Sequence, residues 1–287
     1  MSLLAEFANL DLLNLIALLA VAFIGMPHGA MDGALAIHLG WMNRPAKAIT
    51  FLLAYVGLAG IVIGLWILTP TIGFLLFLAI SLFHFGRGDI VPRQKNHHVT
   101  EVLMRGGLVL SGISLFHRTE VDEIFQTLIG SDTLLIWLFL QISGVVTVAL
   151  IPFVLASKST IERRFIALEI AVLLLIFAIS PPLLGFAIYF CCIHSVRHFK
   201  HMGERLQSTL ASIQITRTTV FFSLLTWAAG LVALTYQSSF VGLEPALLQV
   251  IFIGLAALTV PHMLLVDGMT RNTQKAQTEP LVSIKIL

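Results

Sequence analysis

Six long stretches of this chain contain no Lys, Arg, Asp or Glu: Leu12 to Met31, Ala48 to Gly86, Thr133 to Ser157, Ile170 to Val196, Thr218 to Leu243, and Pro245 to Val266. About 20 apolar residues suffice for a helix to cross the hydrocarbon core of a bilayer. A helix also satisfies its own backbone polar groups there, where no water can. The chain is 57% hydrophobic and 11% charged, with a mean hydropathy of +0.95. A soluble domain carries about 25% charged residues. The expected fold is therefore all-α: a polytopic transmembrane bundle of about eight to nine spans. Residues 1–270 form one transmembrane domain and residues 271–287 a C-terminal tail.

Nine spans are expected, at roughly 8–27, 47–68, 71–87, 102–118, 133–155, 163–180, 183–203, 218–236 and 245–266. Thr69-Pro70-Thr71 and Ser180-Pro181-Pro182 separate two pairs of spans. Proline ends a helix because it lacks an amide donor, so each pair reads as a tight hairpin. The fourth span is the shortest in uncharged length, because Arg105 lies within it. The N-terminus lacks the basic region of a secretory signal, so the first apolar stretch reads as a retained span.

The basic residues orient the bundle. With nine spans, every Lys and Arg of the 17 except Arg118 falls on the side of the odd-numbered loops and the C-terminus. Positive loops stay in the cytoplasm. The expected location is the inner (plasma) membrane, multi-pass, with the N-terminus outside and the C-terminal tail cytoplasmic. The net charge of +2 is spread over short loops and forms no nucleic-acid patch. Cys191 and Cys192 are adjacent and cannot build a disulfide framework; they read as small packing residues.

Histidines recur where apolar stretches end: His28, His84, the pair His194 and His198, and His262. All lie towards the cytoplasmic ends of odd-numbered spans, so one membrane face holds them at similar depth. Imidazole in lipid needs a partner, and a metal shared between helices satisfies several at once. His194 and His198 are four residues apart, on one helical face. His28 and His84 complete a set of four, and an all-imidazole set suits zinc, copper, iron or nickel. His262 has the right depth for a fifth ligand, a hydrogen-bonding neighbour of a ligand, or a proton carrier.

Neutral imidazoles leave a bound dication uncompensated, so carboxylates should orient them from behind. Asp32 lies one helical turn after His28, and Glu169 is the only acid deep within its span. Glu169 is expected to accept a hydrogen bond from a ligand imidazole. Asp89, Glu204 and Asp267 are further candidates for that role, though each reads more readily as a solvated acid at a helix end or in a loop. His97 and His98 lie in a polar loop, and His117 falls near the outer face. Phe85, Tyr189 and Phe190 flank the histidines and are candidate pocket residues for a long apolar substrate. No P-loop, dinucleotide-binding glycine pattern or serine elbow is present.

The motifs Pro27-His28-Gly29-Ala30-Met31-Asp32, Phe83-His84-Phe85-Gly86 with Asp89, His194-Ser195-Val196-Arg197-His198 and Pro261-His262-Met263-Leu264-Leu265 together resemble the Brp/Blh family of bacterial and archaeal β-carotene 15,15′-dioxygenases. The resemblance runs from about residue 20 to 268. It implies a membrane catalytic domain that uses Fe(2+) and O2 to cut the central 15,15′ double bond of β-carotene into two retinal molecules. It also implies that His28, His84, His194 and His198 hold the iron, and that retinal passes to a microbial rhodopsin. Two other readings stay open on the residues alone. One is a di-iron membrane desaturase or hydroxylase, suggested by His194, His198 and His201. The other is a non-catalytic haem or metal-binding membrane protein.

Overall fold

The computed structural model describes residues 11–90, 99–130 and 132–278, with side chains described as far as residue 266. Asp267, His97 and His98 fall outside the residues whose side chains are described. Among the described residues every regular element is a helix.

The chain enters through α1 (Leu12–Ala20), a π-helical turn at Val21–Gly25, α2 (Pro27–Ala30) and α3 (Asp32–His38). Asp11 caps α1 by accepting from the amides of Leu13 and Asn14. Beyond these lie α4 (Pro45–Leu68), α5 (Pro70–Gly88), α6 (Val99–Phe116) and the short α7 (Arg118–Ile129). Next come α8 (Leu134–Ala156), α9 (Thr160–Ile179) and α10 (Pro182–Ile188). A second π-helical turn at Tyr189–His194 leads into α11 (Ser195–Leu206), and α12 (Ser212–Val241) and α13 (Leu243–Thr278) complete the bundle.

Among the described residues, seven helical segments are long and apolar enough to cross a membrane, against the eight to nine expected: 12–38, 45–68, 70–88, 99–116, 134–156, 212–241 and 243–266. The shortfall lies at 163–180 and 183–203. Both are helical, but α9 carries Glu162, Arg163, Arg164 and Glu169, while the second π-turn and α11 carry His194, Arg197 and His198. Some of these groups, Glu169, His194, Arg197 and His198, face the interior, while Arg163 and Arg164 are exposed at the start of α9. Outward faces elsewhere are strongly apolar: Leu53, Ile61, Ile67, Val145 and Val232 are all exposed. Such surfaces belong in lipid, and the chain is a multi-pass membrane protein.

The fourth span is present despite Arg105. That side chain is buried, and its guanidinium meets Glu101 at 3.0 Å and Glu169 at 2.9 Å. The hairpin at Thr69 also forms: α4 and α5 fold back so that Trp66 meets Phe74 and Phe77, with ring centroids 5.5 and 6.0 Å apart. Helices α5 and α6 approach closely through glycine. A Cβ at Gly106 would stand 1.8 Å from the Leu82 carbonyl oxygen, and one at Gly86 would stand 2.1 Å from that of Val102. Without a hydrophobic force between helices in lipid, such close backbone packing supplies much of the attraction. It also fixes α5, and with it His84.

Candidate metal centre

Five imidazoles from four parts of the chain converge in the bundle interior. Ring centroids lie 5.4 Å apart for His28 and His194, 5.1 Å for His28 and His198, and 6.2 Å for His28 and His84. His84 and His194 are 4.7 Å apart by centroid, with their Nε2 atoms at 3.0 Å. The fifth ring, His262, is 4.9 Å from His198. Candidate ligand atoms of His28, His84 and His194 all lie within 4.8 Å of one another. The chain thus brings together all four sequence-selected histidines and His262.

Local structure explains how they meet. His28 does not end its span; the chain stays helical past it to His38. The first π-turn ends three residues before His28, the second contains His194, and the two turns lie against each other. A π-turn inserts a residue into the helix and rotates the residues beyond it, a device common at functional sites. His28 Nδ1 donates to the Gly25 carbonyl at the end of the first turn, at 2.6 Å. That bond places the proton on Nδ1 and leaves Nε2 free. Gly25 also lets Phe190 pack close, since a Cβ there would stand 2.3 Å from its ring. Sequence reading missed both turns, because no composition signal marks them.

Carboxylates stand behind the rings, but not all as expected. Asp32 is buried and accepts from His262 Nδ1 at 2.7 Å and from the Tyr55 hydroxyl at 2.8 Å. Asp89 is a correction: it is no solvated loop acid but 3% exposed. It accepts from the Tyr189 hydroxyl at 2.7 Å and faces His194 Nδ1 at 3.4 Å. Glu169 is a second correction. Its oxygens meet Arg105 at 2.9 Å and Arg197 at 2.6 Å, and the expected bond to an imidazole is not made. Two guanidiniums outcompete a neutral ring for a carboxylate. Glu169 touches the cluster indirectly, because Arg197 reaches Asp89 at 3.6 Å. The chain of alternating charge continues outward from Arg105 to Glu101 and on to Lys158, which lies 2.6 Å from Glu101. Glu204 is exposed, as expected.

The other described histidines, His38, His117 and His201, stand apart. His117 bonds the Phe177 carbonyl at 2.8 Å and Glu120 at 3.2 Å. His38 pairs with Thr209. His201 makes none of the close ring contacts of the cluster and is half-buried near Glu204 and Arg205, which leaves the di-iron reading without its third histidine.

Phe85, Tyr189 and Phe190 form an aromatic wall against the cluster. Phe85 lies 4.9 Å from His194 by centroid, and Phe190 lies 5.2 Å from His28. All three are buried, and the Tyr189 hydroxyl is committed to Asp89. Open space lies elsewhere, in an apolar slot of about 80 Å³ lined by Val62, Leu65, Phe77, Ile80, Ala256 and Val260. Two of its lining residues share helices with cluster histidines: Ile80 is one turn before His84 on α5, and Val260 is two residues before His262 on α13.

The donor set fits a metal ion. Nε2 of His198 and Nε2 of His262 are buried without a hydrogen-bond partner. Buried polar atoms without partners are costly and rare, and an ion coordinated at the convergence of the rings would satisfy them. The buried acids Asp32 and Asp89 offset the charge such an ion would bring.

Comparisons with known proteins agree with this picture. The model of the family described as beta-carotene 15,15'-dioxygenase matches residues 19–270. A beta-carotene 15,15'-dioxygenase from uncultured marine bacterium 66A03 is 34% identical over 266 residues, covering 92% of this chain and 96% of that protein. A probable beta-carotene 15,15'-dioxygenase, Blh, from Halobacterium salinarum is 29% identical over 207 residues, or 62% of this chain and 58% of that protein. No solved structure matches. A match across the whole membrane bundle, with every histidine of the cluster inside it, leads to one conclusion: this chain belongs to the β-carotene 15,15′-dioxygenase family.

Proposed function

We propose that this chain cleaves the central 15,15′ double bond of β-carotene with O2 to give two molecules of retinal, at an Fe(2+) centre held by His28, His84, His194 and His198. The observation that carries the reading is the convergence of these imidazoles inside a lipid-embedded bundle that matches the family over residues 19–270. Imidazole sets accept several first-row metals, and reaction with O2 favours a redox-active one. When bound, ferrous iron would supply open coordination positions and electrons for dioxygen activation.

The chain's own residues do the rest. The Gly25 carbonyl fixes the tautomer of His28 so that Nε2 faces inward. Phe85, Tyr189 and Phe190 exclude water from one side. Substrate and product are both apolar, so both exchange with the bilayer. The apolar slot between α4, α5 and α13 is the entry we assign to a polyene arriving from lipid. Residues 271–287 are assigned to the cytoplasmic side of the inner membrane, and retinal passes through the bilayer to a microbial rhodopsin.

The test is direct. Purified protein loaded with ferrous iron should convert β-carotene and O2 to retinal, with one iron per chain. Alanine at His28, His84, His194 or His198 should abolish iron binding and cleavage together. Products of unequal length would overturn the 15,15′ assignment, and a His198→Ala variant with full iron and full activity would overturn the ligand set.

A further inference from the structure

We infer that His262 is a fifth imidazole ligand of this centre, aimed by a clamp formed of Asp32 and Tyr55. The inference rests on the metal-centre reading and adds to it a ligand and the residues that hold it.

His262 is 3% exposed, and its Nδ1 lies 2.7 Å from Asp32 Oδ1. A carboxylate only accepts, so the proton of the ring sits on Nδ1. The other Asp32 oxygen accepts from the Tyr55 hydroxyl at 2.8 Å, which keeps Asp32 committed as an acceptor. Nε2 of His262 is then a lone-pair donor, buried and without a partner. A carboxylate behind one nitrogen and a free lone pair on the other is the usual arrangement of a metal-ligating histidine.

The His262 ring is 5.3 Å from that of His84, 5.5 Å from His28 and 4.9 Å from His198. Within the four-histidine set, His28 contacts His84, His194 and His198, and His84 contacts His194, at 4.7 to 6.2 Å. His262 therefore packs directly against three rings of the cluster, those of His28, His84 and His198. It is also among the best-anchored rings. His28 is held by Gly25 at 2.6 Å, whereas His194 faces Asp89 at 3.4 Å. A proton-carrying role fits less well. It would require a second proton on Nε2, putting an imidazolium among the rings that must hold a dication, and like charges at that range repel strongly.

The test needs no substrate. The full chain in detergent is reconstituted with Co(II), whose visible absorption reports ligand number and type, and Co(II) affinity is measured. His262→Ala should change the visible band and weaken Co(II) binding at least tenfold, and added imidazole should restore the wild-type spectrum. Asp32→Asn should weaken binding by about 10- to 100-fold, the usual effect of losing a carboxylate behind a ligand, while retaining a shifted band. Should His262→Ala fail to fold, His262→Gln preserves volume and is read by the same spectrum. Unchanged spectrum and affinity in the folded variant would overturn the inference. Wild-type protein that bound no metal would instead overturn the metal-centre reading itself.

Discussion

Gly88 and His194 touch: a Cβ added at Gly88 would stand 2.8 Å from His194 Cε1 and 3.3 Å from Nδ1. The last residue of α5 thus sets how far the imidazole of the second π-turn can advance into the cluster. Gly88→Ala should displace His194 and lower iron occupancy at least tenfold while leaving the bundle folded. Gly60→Ala, where a Cβ meets nothing within 4 Å, is the control and should leave iron content unchanged. Iron analysis of the two purified variants checks this; equal occupancy would remove Gly88 from the site.

Glu169 lies between Arg105 and Arg197, so Glu169→Gln leaves two guanidiniums short of a counter-charge. Breaking one partner of a buried pair is costly; with part of Glu169 exposed, a loss of about 2 kcal/mol of stability is expected. Iron binding should weaken less than in Asp89→Asn, because Glu169 reaches His194 only through Arg197 and Asp89. Thermal unfolding and iron titration of both variants separate the two effects. A Glu169→Gln protein of normal stability that had lost its iron would reverse this ranking.

Ile80→Trp should fill the apolar slot between α4, α5 and α13. Cleavage of β-carotene should fall at least tenfold, with iron content and the Co(II) spectrum unchanged. Retained turnover would mean that the polyene approaches the histidines by another route.

Asp122 provides a pH signature away from the centre. Its carboxylate accepts from Thr133 Oγ1 and Trp137 Nε1, both at 2.6 Å, and from Gln126 at 2.7 Å. The hydrogen bond from Thr133, seconded by that from Trp137, holds its pKa below the ordinary value. A depressed folded-state pKa stabilises the fold above the unfolded value of about 3.9, and that stability is lost as pH falls through the folded pKa. Asp122→Asn should therefore lower the unfolding temperature at neutral pH and make little difference near pH 2. A variant gap of equal size at both pH values would contradict this.

Orientation is testable with single cysteines in a background lacking Cys191 and Cys192. Asp132 and Gln207 are both exposed, at the two ends of the bundle that charge assigns to opposite sides. A membrane-impermeant thiol reagent should label Asp132→Cys in intact cells and Gln207→Cys only after lysis. Labelling of both in intact cells would invalidate the positive-inside assignment.

Long uncharged runs determine that this chain is a helical membrane bundle, because no other fold satisfies so much backbone without water. Proline placement determines the breaks at Thr69 and Ser180, since the missing amide acts locally. The histidine set was legible too: position along a span gives depth, and depth gathers His28, His84, His194, His198 and His262 on one level. Partners across the bundle were not legible. Asp89 stands just past a helix end and reads as solvated, yet packing seals it against Tyr189 and His194. Glu169 has the depth of the histidines but the neighbours of α6 and α11, so arginines claim it. Asp32 stands one turn from His28 in sequence, yet serves His262, 230 residues away. Depth is a property of one helix and can be counted along the chain. Which side chain meets which depends on how each helix is rotated, and glycine contacts and π-turns set that rotation only when the helices pack together.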